Sequence, residues 1–130
     1  MEKVGEQVSG NPHKGKTGVR RIWNALFHSI DGFRAAYRHE DAFRQECLLA
    51  VILVPTALFM PTGGLGKALM IAAILLVLVV ELLNSAIEAA VDLVSLENHQ
   101  LAKRAKDISS AAVFLSLANV AVVWALVLFG

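Results

Sequence analysis

The sequence predicts an all-α membrane protein, with an N-terminal amphipathic interfacial helix followed by three transmembrane helices. Three observations predict it. First, 56% of the 130 residues are hydrophobic and 18% are charged, with a mean hydropathy of +0.59. The chain is too apolar for an ordinary soluble domain and too short for more than one. Second, the apolar residues after Glu46 collect into three runs long enough, with their flanks, to cross a bilayer. Third, the cationic residues are distributed very unevenly about those runs.

Residues 1–18 (MEKVGEQVSGNPHKGKTG) are rich in Gly and Lys, lack an apolar core of the kind a cleavable signal needs, and are expected to form a disordered cytoplasmic tail. Residues 19–130 are expected to form a single membrane domain, with an interfacial helix over about 20–40 and spans over about 42–60, 67–96 and 107–129.

In the first helix Ile22, Trp23, Leu26, Phe27, Ile30, Phe33 and Tyr37 recur at helical spacing, bordered by Arg20, Arg21, Arg34 and Arg38. Such a helix lies in a membrane interface, as an anchor or as more than one. A bend is expected at Gly32.

The first span runs from Cys47 through LLAVILVPTALFM to Met60. Its uninterrupted apolar part falls short of the ~20 residues a crossing needs, so the preceding Asp41–Glu46 turn continues the helix into the interface. Pro55 is a candidate kink. The single Cys47 has no internal partner and is read as packing. The second span is apolar from Lys67 to Val80 and then carries acids to about Leu96, longer than a bilayer requires. The third, Ile108–Phe129, is interrupted only by Ser109, Ser110, Ser116 and Asn119, small polar residues suited to helix contact in lipid.

Eight of the twelve Lys and Arg precede the first span, one (Lys67) lies between the first two, and three (Lys103, Arg104, Lys106) lie between the second and third. The positive-inside rule then puts the N-terminus and the second connection in the cytoplasm. A net charge of +1 offers no bulk attraction to nucleic acid.

The run Glu81–Asp92 (ELLNSAIEAAVD) carries the chemistry. At ~100° per residue Glu81, Asn84, Glu88 and Asp92 fall at about 0°, −60°, −20° and +20°, one acidic stripe on an otherwise apolar helix. A carboxylate near the bilayer centre costs ~2.5–3.5 kcal/mol, so the stripe calls for a function. With Glu40, Glu97, Lys106 and Asp107 it makes a constellation assigned to the cytoplasmic half.

Magnesium takes hard oxygen ligands, commonly one or two carboxylates with phosphate and water. Phosphoryl transfer adds a cation at the phosphates and a base at the attacking hydroxyl. The rival reading is structural, with Glu81 and Glu88 paired to Lys103, Arg104 or Lys106 within a bundle. The segment Pro61-Thr62-Gly63-Gly64-Leu65-Gly66-Lys67-Ala68 is not a phosphate loop, because Pro61 stands where the first glycine belongs and Ala68 where the hydroxyl belongs.

ELLNSAIEAAVD, then Glu97-Asn98-His99 and Arg104-Ala105-Lys106-Asp107-Ile108-Ser109-Ser110-Ala111-Ala112-Val113, resembles the signature of the prokaryotic integral-membrane diacylglycerol kinases. Upstream, Gly32-Phe33-Arg34-Ala35-Ala36 and Glu40-Asp41-Ala42-Phe43-Arg44-Gln45-Glu46 match the same family. The resemblance runs from about residue 20 to the C-terminus.

It implies a homotrimer with active sites shared between protomers, in the bacterial inner membrane, transferring the γ-phosphate of MgATP to the hydroxyl of diacylglycerol at the cytoplasmic face. It implies Glu81 as the catalytic base with Asn84 beside it, and Glu40 and Glu88 as ligands of Mg²⁺ and so of the nucleotide. ATP would also meet Arg21, His28, Glu97, Asn98, His99, Lys106 and Asp107. The lipid would meet Arg21, Arg34, Ala35, Ala36, Glu46, Glu81, Asn84 and Ser110, with Trp124 on the acyl chains. His28 and Asn98 depart from the family, each standing where an aromatic residue is familiar, and Asp92 is left without a role.

A polyprenol such as undecaprenol is the alternative acceptor. The Gln45-Glu46 pair and the Trp-bearing interfacial helix fit the diacylglycerol branch better. A non-enzymatic membrane subunit with a proton path would need acids at all depths, and Leu69–Val80 has none.

Overall fold

In the computed structural model the described residues are 17–94 and 99–130, all but a few of them helical. Four helices follow one another: α1 (Thr17–His39), α2 (Asp41–Phe59), α3 (Gly64–Val94) and α4 (His99–Phe129). The last three are long and apolar enough to cross a membrane. The chain divides into two units, one up to Ala35 and one from Ala36 onward.

Within the first unit, α1 continues through Gly32 without interruption. The Trp23 and Phe27 rings, four residues apart, meet edge to face with centroids 5.6 Å apart.

In the second unit α3 is the central helix and touches both α2 and α4. Its buried residues Met70, Ala73, Ile74, Val77 and Glu81 recur at intervals of three and four along one face. Phe43 and Ala57 of α2 are buried with them, as are Ser109 and Ser116 of α4. Ser109 Oγ donates to the Lys106 carbonyl at 3.0 Å and Ser116 Oγ to that of Val113 at 2.7 Å, so both hydroxyls are satisfied within their own helix. The indole Nε1–H of Trp124 donates to the Met70 carbonyl at 3.2 Å and ties α4 to α3. Most large apolar side chains face outward, Phe59, Phe114 and Phe129 among them, the arrangement of helices whose solvent is lipid.

The joint before α2 is braced by Arg44. Its guanidinium donates to the carbonyls of Tyr37 at 2.7 Å and Arg38 at 3.1 Å and pairs with Asp41. Pro55 lies inside α2, which continues across it to Phe59. Met60–Gly63 make the turn to α3, and Lys67 N–H donates to the Gly63 carbonyl at 3.1 Å. Gly64–Lys67 thus open a helix. A Cβ on Gly66 would stand 2.9 Å from Val127 Cγ1, so this glycine lets α3 and α4 approach closely at that end.

One boundary differs from the sequence reading. Lys103, Arg104 and Lys106, expected between spans, sit in the opening turns of α4. Gln100, Leu101, Ala102 and the three cations are all good helix formers, so the backbone stays helical beyond the apolar limit.

Candidate active site

Glu81 sits on the buried face of α3, four residues beyond Val77, and is 3% exposed. Asn84 follows it by three residues on the same side of the helix, and the Glu81 carboxylate lies within electrostatic reach of Glu40 and Glu88. From α2, Glu46 also feels the charge of Glu81. Glu40 and Glu46, from the start and first turns of α2, and Glu88, from α3, thus all share the electrostatic surroundings of Glu81.

Glu40 holds the N-cap position of α2 with extended backbone (φ −120°, ψ 110°), yet its side chain makes no capping bond. Glutamate is not among the usual capping residues, and its carboxylate takes no part in closing the helix start. Arg44, one helical turn further on, is committed to Asp41 and two carbonyls.

Several buried polar atoms have no partner: Glu46 Oε2, Asn84 Oδ1 and Ser85 Oγ. A buried unsatisfied group costs ~1–3 kcal/mol, and native proteins keep few of them without a functional reason. Ser85, with its unpartnered buried oxygen, is a candidate that sequence reasoning missed. It lies about 40° from Glu81 around the helix and so belongs to the stripe. Only that angle could have found it, because a serine in a helix is otherwise unremarked.

Beside this cluster an apolar cavity of about 190 Å³ opens among α2, α3 and α4, with Leu49, Leu53, Ile74, Val77, Leu117 and Val120 on its walls and Glu46 as its charged member. Trp124, at the level of Met70, stands 11 residues or about 16 Å along α3 from Glu81.

At the other side of the stripe Lys106 Nζ pairs with Asp92 Oδ1 at 2.6 Å, joining α4 to α3. Lys106 also feels the charge of Glu88. Asp107 accepts from Lys103 at 2.7 Å. Ser110 is exposed on α4. Arg21, His28, Arg34 and Ala35 are exposed on α1, in the first unit, and Ala36 is buried in the second. Glu97 and Asn98 lie outside the described residues, as does the side chain of His99. The structure thus brings together Glu40, Glu46, Glu81, Asn84 and Glu88, and links Lys106 to them through Asp92 and Glu88.

The pattern has close counterparts. The family model for prokaryotic diacylglycerol kinase matches residues 27–128. A diacylglycerol kinase of Pseudomonas aeruginosa is 54% identical over 123 residues, covering 95% of this chain and 100% of that protein. One from Haemophilus influenzae is 44% identical over 113 residues, covering 87% and 96%. That of Escherichia coli K12 is 41% identical over 113 residues, covering 87% and 93%. A match over most of the chain to a family of multi-pass membrane kinases accounts for acids gathered on an apolar helix beside an apolar cavity, and the chain belongs to the prokaryotic diacylglycerol kinase family.

Proposed function

We propose that the protein is an ATP-dependent diacylglycerol kinase of the bacterial inner membrane, converting diacylglycerol and ATP to phosphatidic acid and ADP. The observation that carries this reading is a buried carboxylate, Glu81, within electrostatic reach of Glu40 and Glu88 and of Glu46, which itself lines an apolar cavity.

The acceptor's acyl region occupies the apolar cavity, placing its hydroxyl at Glu81. Asn84, three residues on along α3, orients it. As the hydroxyl oxygen attacks the γ-phosphorus, its proton passes to Glu81, the bond to the β–γ bridging oxygen breaks, and ADP leaves. Glu46, with a buried free oxygen on the cavity, accepts a hydrogen bond from the glycerol region. Trp124, tied to Met70, borders the acyl chains, while Arg34, Ala35, Ala36 and Ser110 border the headgroup's approach.

Among the described residues no three His, Cys, Asp or Glu side chains form a closed metal cage. Glu40 and Glu88 are two hard ligands without a paired cation of their own, which suits Mg²⁺ completed by phosphate and water. The ion would neutralise charge on the nucleotide phosphates. Lys106 binds the same phosphates as a point charge. Asp107, Arg21, His28, Glu97, Asn98 and His99 complete the nucleotide's surroundings.

In this reading α1 lies in the cytoplasmic interface, the active site opens to the cytoplasm, and three copies assemble with sites shared between neighbours. The unequal distribution of Lys and Arg supports that orientation. A second cavity, of about 520 Å³, lined by Leu76, Val80, Ser116 and Asn119 on α3 and α4, supports close helix contact with another copy.

The acceptor is tested with γ-labelled ATP and the purified full chain in mixed micelles holding diacylglycerol and undecaprenol together. Labelled phosphatidic acid is the expected product. Labelled polyprenyl phosphate in its place would overturn the assignment. The polyprenol reading is not favoured, since the relatives above are all diacylglycerol kinases.

A further inference from the structure

Asp92 is the member of the acidic stripe without a task in that mechanism, yet its carboxylate makes the ion pair between α3 and α4, to Lys106 Nζ at 2.6 Å. The Lys106 side chain is 42% exposed and that of Asp92 64%, and ion pairs open to water in this way contribute little to folding. What the pair does fix is the direction of a flexible four-carbon side chain.

Direction matters here because Lys106 is also within reach of the charge on Glu88. Glu88 lies one turn before Asp92 on the same face of α3, so an unheld ammonium would have a choice of two acids. If it settled on Glu88, it would neutralise one of the two carboxylates available to a cation. Asp107 does not compete for Lys106, since it is engaged by Lys103 at 2.7 Å.

We propose that Asp92 is a positioning residue of the nucleotide site: it holds Lys106 off Glu88 and towards the phosphates, leaving Glu88 open to the divalent cation that accompanies the nucleotide. The inference rests on the assignment of Lys106 and Glu88 to the nucleotide made above. Soluble protein kinases solve the same problem with a helix glutamate that holds their phosphate-binding lysine in place.

The test compares Asp92→Asn, Asp92→Glu, Lys106→Met and the Asp92→Asn/Lys106→Met double variant as full chains in mixed micelles. In Asp92→Asn the KM for MgATP rises about tenfold and more Mg²⁺ is needed for half-maximal rate, while the KM for diacylglycerol and the thermal midpoint stay put. Asp92→Glu recovers most of the loss. In the Lys106→Met background Asp92→Asn adds nothing.

The proposal is overturned by an unchanged KM for MgATP in Asp92→Asn. It is equally overturned by parallel rises in both KM values, by a fall in thermal midpoint with them, or by an undiminished effect when Lys106 is absent. An unaltered KM for MgATP in Lys106→Met would instead sink the assignment of Lys106 itself, and this proposal with it.

Discussion

Glu81 differs from the other acids of its stripe in how little water it meets. It is 3% exposed, donates nothing when ionised, and has Asn84 three residues on along its helix, with like charges at Glu40, Glu46 and Glu88 around it. Glutamine keeps the shape and the capacity to accept a hydrogen bond but cannot take a proton. Glu81→Gln is therefore expected to lower kcat by about 10²–10⁴, the range general-base catalysis supplies, with little change in KM for MgATP. Stability should hold or rise, because a buried charge among like charges is removed. Steady-state kinetics together with thermal unfolding in detergent check this, and near-wild-type turnover would remove Glu81 from the role. At this scale the sequence was informative where a residue type was anomalous. An acid in an apolar helix announces itself, so Glu81, Asn84 and Glu88 were legible. Ser85 was not, because serine is ordinary in a helix and its angle to Glu81 gains meaning only beside its unpartnered buried oxygen. The partner of Asp92 was equally hidden, since three cations follow at comparable separation and only the path of α4 chooses Lys106.

The helices were legible as apolar runs, and their ends were not. Hydropathy reports where lipid stops, whereas the backbone stays helical as long as its residues permit, so α4 begins at His99 rather than near residue 107. The excess length has a use. Each of α3 and α4 has 31 residues, about 46 Å against a hydrocarbon core of ~30 Å. With a crossing of about 20 residues that starts at Gly64, Glu81 would fall just inside the boundary and Glu88, Asp92 and Lys106 beyond it. At the opposite end Gly66 sets how closely the two helices meet. Gly66→Leu would force a side chain into Val127 and destabilise the protein by about 1–3 kcal/mol, as overpacking does elsewhere. Gly64→Ala, with nothing within 4 Å of its new methyl, should not. Thermal midpoints of the two variants measure the difference, and shortening Val127 to Ala should return part of what Gly66→Leu loses. Equal midpoints for Gly66→Leu and wild type would mean the contact has slack.

For the whole molecule, composition and the length of the apolar runs pointed to the class and to three helices able to cross a membrane, because lipid imposes a length and a chemistry on every crossing helix. The assembly was not legible in the same way. Apolar side chains facing lipid and those facing another copy look alike in sequence, and α2, α3 and α4 leave most of theirs outward. If sites are shared around a ring of three, α1 of one protomer serves the acids of a neighbour, and the arrangement can be read by mixing. Arg21→Ala, on α1, and Glu81→Gln, on α3, should each disable the enzyme. In mixed assemblies formed at equal ratio, a site built from neighbours is intact when α3 comes from the Arg21→Ala chain and α1 from the Glu81→Gln chain. Random assembly of a closed ring makes that about a quarter of sites, so about a quarter of wild-type activity should return. A site contained within one protomer carries one lesion or the other in every subunit, and no mixture can repair it. Activity of the mixture against its two parents, measured after joint unfolding and reconstitution, therefore separates shared sites from self-contained ones, and a mixture no better than its parents would exclude the sharing.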